Sequence, residues 1–429
     1  MTNISIQEVI AAKRDGKSNT ADELNFLAAG AADGSLPDDQ LSGWLMAAYI
    51  NGLSVQETAD LTLAMAASGE RIDLTGMPKP WVDKHSTGGV GDKTTIVLTP
   101  WLAACGLSVV KMSGRGLGVT GGTVDKLGSV PGFRLDLSPD EMKSQAIRIG
   151  IALTGQSPRL APADKRLYAL RDSIGAVESL PLIVSSILSK KLAGGADNVV
   201  MDVKCGSGAF MRTLDDARAL AASLVEIGTL DGLNISASIS DMCQPLGTAI
   251  GNAIEVKEAI RVLKGERGRV ADLCRHYVIK TLNLVGEPDA EGLADEAMLS
   301  GKALAKAKEW FAAQGADPMV FESEAWATSP IVKEVRSPHS GYVKTADARK
   351  LGMLAIKMGA GREHKDEQID GRVGIELFAE VGAKIDAGDV IAKLHLAKEE
   401  LAATCEHDLL LAIEYSDSPV DPIPVILQP

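Results

Sequence analysis

The sequence predicts an α/β fold with a separate small all-helical domain and a C-terminal α+β domain. Three observations carry that prediction. The first 70 residues hold helix-start signals and helical apolar spacing, without strand-like runs. From about residue 80, short β-branched runs alternate with helical stretches, the pattern of a largely parallel sheet flanked by helices. After residue 331 the chain breaks into short strand-like pieces and turns: SGYV, VGAKIDAGDVIAKLH and EYSDSPVDPIPVIL. At ~150 residues per domain, 429 residues agree with about three domains.

The N-terminal helices start at Ser5 with Glu8, Thr20 with Glu23 and Ser54 with Glu57. In each pair the hydroxyl accepts from an unpaired N–H while the Glu reaches back. Gly16, Gly34, Gly52 and Gly69 stand where these helices should stop. Thr94–Leu98, Ser108–Met112 and Asn198–Val203 read as strands, and Leu214–Ile227 and Val256–Leu263 as helices. The run from Ile96 to Val110 reads as a buried strand followed by a helix, too short and too broken to span a bilayer. A second helical stretch, 162–193, interrupts the alternation and can return to the N-terminal bundle. A helical stretch over 290–315 and a looser segment, 317–330, lead into the tail.

Composition removes several functions. With 44 Lys+Arg against 57 Asp+Glu the net charge is −13, which argues against nucleic acid or an acidic membrane surface as a partner. Aromatics make up 4%, too few to suggest a stacking platform for single strands. The five cysteines are scattered without a C-x-x-C pair, and the N-terminus lacks a signal pattern, so a cytoplasmic protein with reduced thiols is expected.

Glycine is concentrated. Residues 85–132 hold 11 of the chain's 43 glycines, in the runs KHSTGGVGDKTT and KMSGRGLGVTGGTVDKLGSVPGF. Glycine permits close approach and positive φ, so successive N–H groups can converge on one anion. Ser86, Thr95, Ser113 and Thr123 add hydroxyl donors and Lys84 a point charge, which points to phosphate or pyrophosphate. The bland alternative is a pair of tight turns. Neither run matches a Walker loop or a dinucleotide-binding fingerprint, so a nucleotide-triphosphate enzyme and a dehydrogenase both recede. A second cluster comprises Tyr168, Arg171, Ser186 and Lys190. Ser186 and Lys190 share a helix face. Either this is a solvated basic edge, with Lys190 and Lys191 exposed, or Arg and Lys stabilise negative charge developing on a planar group.

The runs KHSTGGVGD, SGRGLG-x-TGGT-x-DKL, PADKRLYALRD, SLPLIVSSILSKKLA, DVKCGSGAF and QPLGTAIGNAIEVKEAI resemble the thymidine and pyrimidine nucleoside phosphorylases over essentially the whole chain. The resemblance implies a homodimer that splits pyrimidine nucleosides (uridine, thymidine, deoxyuridine) with inorganic phosphate, needs no cofactor, and closes a cleft for reaction. It implies a small domain of 1–70 plus 160–193 carrying the base, and an α/β domain of 71–159 plus 194–330 carrying phosphate. A third domain, 331–429, would pack on the large one. Phosphate would meet Lys84, Ser86, Thr95, Ser113 and Thr123. The base would meet Arg171, Ser186 and Lys190, with His85 near a carbonyl as a donor of a proton or hydrogen bond. Leu117, Tyr168, Val177, Ile183 and Phe210 would wall the pocket. Some relatives hold potassium near Gly91, Lys93, Leu246, Ala249 and Glu258, mostly through carbonyls, so Glu258 is the side chain expected at such a site. Lys111 favours members that accept a ribose 2′-hydroxyl over thymidine-restricted ones. The chain departs from the family at Val119 (usually His), Gly128 (usually Glu), Pro158–Arg159 and Ile174–Gly175. An enzyme resembling anthranilate phosphoribosyltransferase, with Asp92 and Asp125 on magnesium, is an alternative. A non-catalytic nucleoside-binding protein is another.

Overall fold

The computed structural model describes residues 4–78, 80–116, 121–155, 157, 159–362 and 369–429. Four helices open the chain: α1 (Ile6–Arg14), α2 (Ala21–Asp33), α3 (Asp38–Asn51) and α4 (Val55–Ala67). The boxes at Thr20 and Ser54 form, whereas Ser5 makes no capping bond and donates its hydroxyl to Gln7. Gly34 ends α2 in the left-handed conformation.

The central region runs β1 (Trp81–Ser86), α5 (Thr94–Ala104), β2 (Ser108–Ser113), α6 (Thr123–Gly128), α7 (Pro139–Ile149) and β3 (Ile151–Gly155). It continues through α8 (Pro162–Ser173), α9 (Leu180–Ala193), β4 (Asn198–Cys205), α10 (Leu214–Leu230) and β5 (Asn234–Asp241). The strands form a sheet of order β3-β2-β1-β4-β5, parallel throughout. The expected strand at Thr94–Leu98 is instead the start of α5. That helix is buried on every side, so its apolar run carries no 3.6-residue period to distinguish it from a buried strand. The strand preceding the first glycine loop is Trp81–Ser86, which holds three charged or titratable side chains and so does not stand out by hydropathy.

Helices α8 and α9 pack on the N-terminal bundle: Ala163, Leu167 and Leu182 share a core with Leu24, Leu41, Trp44 and Leu61. The other side of α9 faces the sheet, with Val184 and Leu188 against Val199, Met201 and Val203. Thus α9 lies between bundle and sheet.

Beyond β5 come β6 (Ala249–Gly251), α11 (Ala253–Leu263), α12 (Arg269–Leu284), α13 (Ala290–Leu299) and α14 (Lys302–Ala313). The tail comprises β7 (Ile331–Arg336), β8 (Gly341–Ala346), α15 (Ala348–Ala355), β9 (Gly374–Leu377), β10 (Lys384–Ile385), β11 (Val390–Leu396), α16 (Ala402–Leu410), β12 (Ile413–Ser416) and β13 (Ile426–Gln428). These strands form two antiparallel sheets, but with an exchange across the expected boundary at 331. Strand β6 joins the tail's β9, and β13 returns to pair antiparallel with β5 of the central sheet. The tail is therefore stitched into the central region by backbone hydrogen bonds.

Candidate active site

A cleft of about 830 Å³ lies between the glycine loops and helices α8 and α9. His85, Ser86, Thr95, Lys111, Ser113 and Thr123 line one wall, and Tyr168, Val177, Ile183, Ser186 and Lys190 the other, with Phe210 at its edge. Two clusters from separate stretches of the sequence thus face one cavity. Leu117, Val119 and Pro158 lie outside the described residues.

The wall expected to hold phosphate follows from strand ends. The parallel strands β1 and β2 deliver the two glycine loops side by side, and the loops are compact because glycine permits it. A Cβ at Gly122 would collide with the backbone of Arg115 and Gly116. The Ser86 hydroxyl donates to Asp92 Oδ2 (2.5 Å), and Thr94 donates its N–H and hydroxyl to Asp92 Oδ1. Ser113 Oγ is buried and has no hydrogen-bond partner among the described residues, an arrangement that leaves it ready for a ligand. Arg115, which sequence reasoning passed over, is exposed on the same wall.

Two expected contacts are absent from the lining. Lys84 is buried beneath the loop, its ammonium 3.0 Å from Asp202 and 2.6 Å from Thr94 Oγ1. Burial would push its pKa down, but Asp202 and Asp92 more than offset this and hold it up. Its charge reaches the wall from below. Arg171 is 2% exposed and donates to the carbonyls of Ala176 (3.2 Å), Leu182 (3.0 Å) and Val177. Its guanidinium therefore fixes the Val177 segment of the wall.

On the opposite wall Lys190 Nζ lies 2.6 Å from Asp164 and 2.9 Å from Ser186 Oγ, so the three form one unit on α8 and α9. Asp164 was missed, although it stands within PADKRLYALRD. Lys191 is not part of an exposed basic edge: it is buried and pairs with Asp83 at 2.6 Å. Asp83 also takes Lys111 at 2.9 Å, so one carboxylate joins β1, β2 and α9. Asp83 and His85 are two apart on a strand and therefore share a face; a strand assignment at Trp81–Ser86 would have paired them.

Electrostatics sharpens the expectations for His85 and Lys111. Burial pushes His85 well below its ordinary value, and Lys191 and Lys111 push it further, so the ring is neutral at pH 7. A neutral imidazole donates a hydrogen bond, not the acidic proton of an imidazolium. Burial lowers Lys111 to about 8 despite Asp83, and Lys191 adds repulsion. Lys111 also donates to the Lys84 carbonyl, so two of its three N–H donors are taken.

At Glu258 the expected potassium ligands converge on an ammonium. Lys93 Nζ sits 2.5 Å from Glu258, 2.9 Å from the Leu246 carbonyl and 2.8 Å from that of Ala249. These oxygens are spoken for, and a second cation beside a buried ammonium would be strongly repelled. The residues present do not fit potassium. Glu258 is 3% exposed, not a surface helix residue. Among the described residues no cluster of three His, Cys, Asp or Glu could hold a metal ion. Asp92 and Asp125, the candidates for magnesium, are engaged: Asp125 accepts from the Gly116 and Gly122 N–H groups and from Arg362. A Cβ at Gly128 would meet only Leu135, at an ordinary contact distance of 3.6 Å, and nothing in the structure explains the glycine there. Among the described residues no helix is long and apolar enough to cross a membrane.

Comparison with known proteins gives concordant matches. Residues 78–304 match the glycosyl transferase family, a/b domain. Residues 7–69 match that family's helical bundle domain, and 342–416 the pyrimidine nucleoside phosphorylase C-terminal domain. Proteins named pyrimidine-nucleoside phosphorylase from Geobacillus stearothermophilus and Bacillus subtilis (strain 168) are each 46% identical over 400 residues, 92% of either chain. The crystal structure of anthranilate phosphoribosyltransferase from Thermus thermophilus superposes with a TM-score of 0.57 at 18% identity, over 71% of this chain and 99% of that one, a likeness of fold.

Proposed function

The chain belongs to the pyrimidine-nucleoside phosphorylase family and is a pentosyltransferase, and from that premise we propose that it splits uridine, thymidine and deoxyuridine with inorganic phosphate. The products are the free base and ribose or deoxyribose 1-phosphate. The observation that carries this reading is the facing of two unlike walls across one cleft: hydroxyls and close-packed glycines, with Ser113 unpartnered among the described residues, opposite the Lys190–Ser186–Asp164 unit.

In this reading phosphate rests on Ser86, Thr95, Ser113 and Thr123, with Lys84 contributing charge from beneath. A phosphate oxygen bonds to C1′ while the C1′–N1 bond breaks and its electron pair stays on the base. The negative charge spreads onto the ring carbonyls, where Lys190 and Ser186 donate to them. The proton lost by hydrogen phosphate ends on the base. Neutral His85 donates a hydrogen bond to a carbonyl. Arg171 is a positioning residue: it holds Val177, which with Tyr168, Ile183 and Phe210 encloses the ring. Holding both reactants in one closed cleft supplies orientation. No cofactor enters. The remaining N–H of Lys111 supports ribosides alongside deoxyribosides.

We place the enzyme in the cytoplasm as a homodimer, with the bundle plus α8 and α9 moving against the sheet. The five free cysteines suit a reducing compartment. The test is release of uracil and thymine from uridine, thymidine and deoxyuridine with and without phosphate. Phosphate-dependent release from all three is expected. Release from thymidine alone would restrict the substrate range, and release from none would reject the reading.

A further inference from the structure

Lys93 sits at the N-cap of α5, two residues before Thr95 on the phosphate-side wall. It is 0% exposed. Its ammonium donates to the Leu246 carbonyl at 2.9 Å, the Ala249 carbonyl at 2.8 Å and Glu258 Oε2 at 2.5 Å. Those three bonds use all three of its donors. Glu258 is held from behind, its two oxygens accepting from the Thr248 and Ala249 N–H groups at 2.8 Å each. Burial alone would raise the Glu258 carboxyl, but Lys93 and the two N–H groups hold it below its ordinary value, so it is a carboxylate.

The surrounding backbone is built closely around this charge. Gly91 has φ +74, and a Cβ there would lie 2.8 Å from the Leu246 oxygen and 3.2 Å from that of Ala249. The Leu246 N–H donates to the Val90 carbonyl at 3.0 Å. Two loops, 87–92 and 244–249, thus meet through one cation and one carboxylate. Two carbonyls and a carboxylate converging at 2.5–2.9 Å are the donor set of a dehydrated monovalent cation.

We propose that Lys93 is a tethered monovalent cation: its ammonium does the work of a free potassium ion, joining the phosphate-side loop to the Leu246–Ala249 loop and α11. An ion bound from solution occupies its site according to its concentration. A lysine in the same chain is always present. Stability and turnover of this enzyme are therefore indifferent to potassium. The turnover half of this statement rests on the phosphorolysis reading above, and the stability half does not.

The test is thermal unfolding of the full-length protein in potassium, sodium or tetramethylammonium chloride at equal ionic strength, followed by uracil release from uridine in the same salts. For the wild-type chain, coincident melting curves and equal rates are expected. Lys93→Thr opens the cage. Its melting temperature should fall in tetramethylammonium and recover saturably and selectively in potassium, with uracil release recovering over the same range. A wild-type melting temperature that rises selectively with potassium would overturn the proposal. So would a folded Lys93→Thr protein that does not respond to potassium. Should Lys93→Thr fail to fold in every salt, the wild-type comparison decides alone. Melting needs no substrate, so a protein that releases no base would reject the phosphorolysis reading and leave the cation result standing.

Discussion

The two walls of the cleft handle charge in opposite ways. Beneath the phosphate-side wall, cations are matched to carboxylates away from the cavity: Lys84 and Lys204 with Asp202, Lys93 with Glu258, Lys126 with Glu255. Lining the cleft on this side are hydroxyls, the loop glycines, His85, Asp92, Lys111 already paired with Asp83, and the exposed Arg115. On the opposite wall Lys190 stands at the surface with Asp164 beside it, amid Tyr168, Val177 and Ile183, and the exposed Lys165 lies on the same wall. A dianion whose charge is already present when it binds is suited by fixed dipoles over a neutralised foundation. A base that becomes negative only as its bond breaks is suited by a positive group at the cleft surface. Asp83 joins the two regions, because it pairs with Lys111 on the sheet and Lys191 on α9.

The largest effect is expected where the regions join. Asp83→Asn leaves two buried ammonium groups facing an amide, and breaking such a pair costs ~3–5 kcal/mol. Urea denaturation should show that loss, and an unchanged midpoint would mean that the walls are not coupled through Asp83. Next comes Lys190→Met, which removes the positive group at the leaving base and should lower kcat by about 10²–10³-fold with the fold intact by circular dichroism. Ser113→Ala should act on the other wall alone, raising KM for phosphate about tenfold, the worth of one hydrogen bond to a charged group.

The smallest effect concerns pH. His85 and Lys111 both have folded values below their unfolded ones, so the unfolded chain binds more protons and stability rises with pH across each gap. For His85 that rise ends near its ordinary value of 6.5; for Lys111 it runs from about 8 to 10.5. Lys111→Met should flatten the second rise in a series of urea midpoints, and a rise of equal size in the variant would contradict the assignment. Because burial holds His85 well below its ordinary value, kcat should show no acid limb at 6.5 from this residue.

Much of this architecture was legible in the sequence, and its failures have physical causes. Capping boxes at Thr20 and Ser54 were read correctly because they are local: hydroxyl and carboxylate lie three residues apart. The glycine loops and the Ser186–Lys190 pair were legible because their chemistry is written in short runs. Helix α5 was misread because burial on every side erases periodicity. The exchange of β6 and β13 between sheets was illegible, since pairing partners lie over 120 residues away. Asp83 and Asp164 do not stand out in the sequence, and Lys191 reads as exposed, for a related reason: each acquires its role from a partner on another element. Lys93 was named only as one of several backbone ligands, and its own side chain proved to be the cation.

The division of labour between the walls is the central claim, and initial rates of uracil release, measured while uridine and phosphate are varied together, test it most directly. With Lys190→Met, kcat should fall about 10²–10³-fold and KM for phosphate should stay near the wild-type value. With Ser113→Ala, KM for phosphate should rise and kcat at saturating phosphate should hold. A Lys190→Met enzyme that keeps its kcat and loses only phosphate affinity would contradict the account.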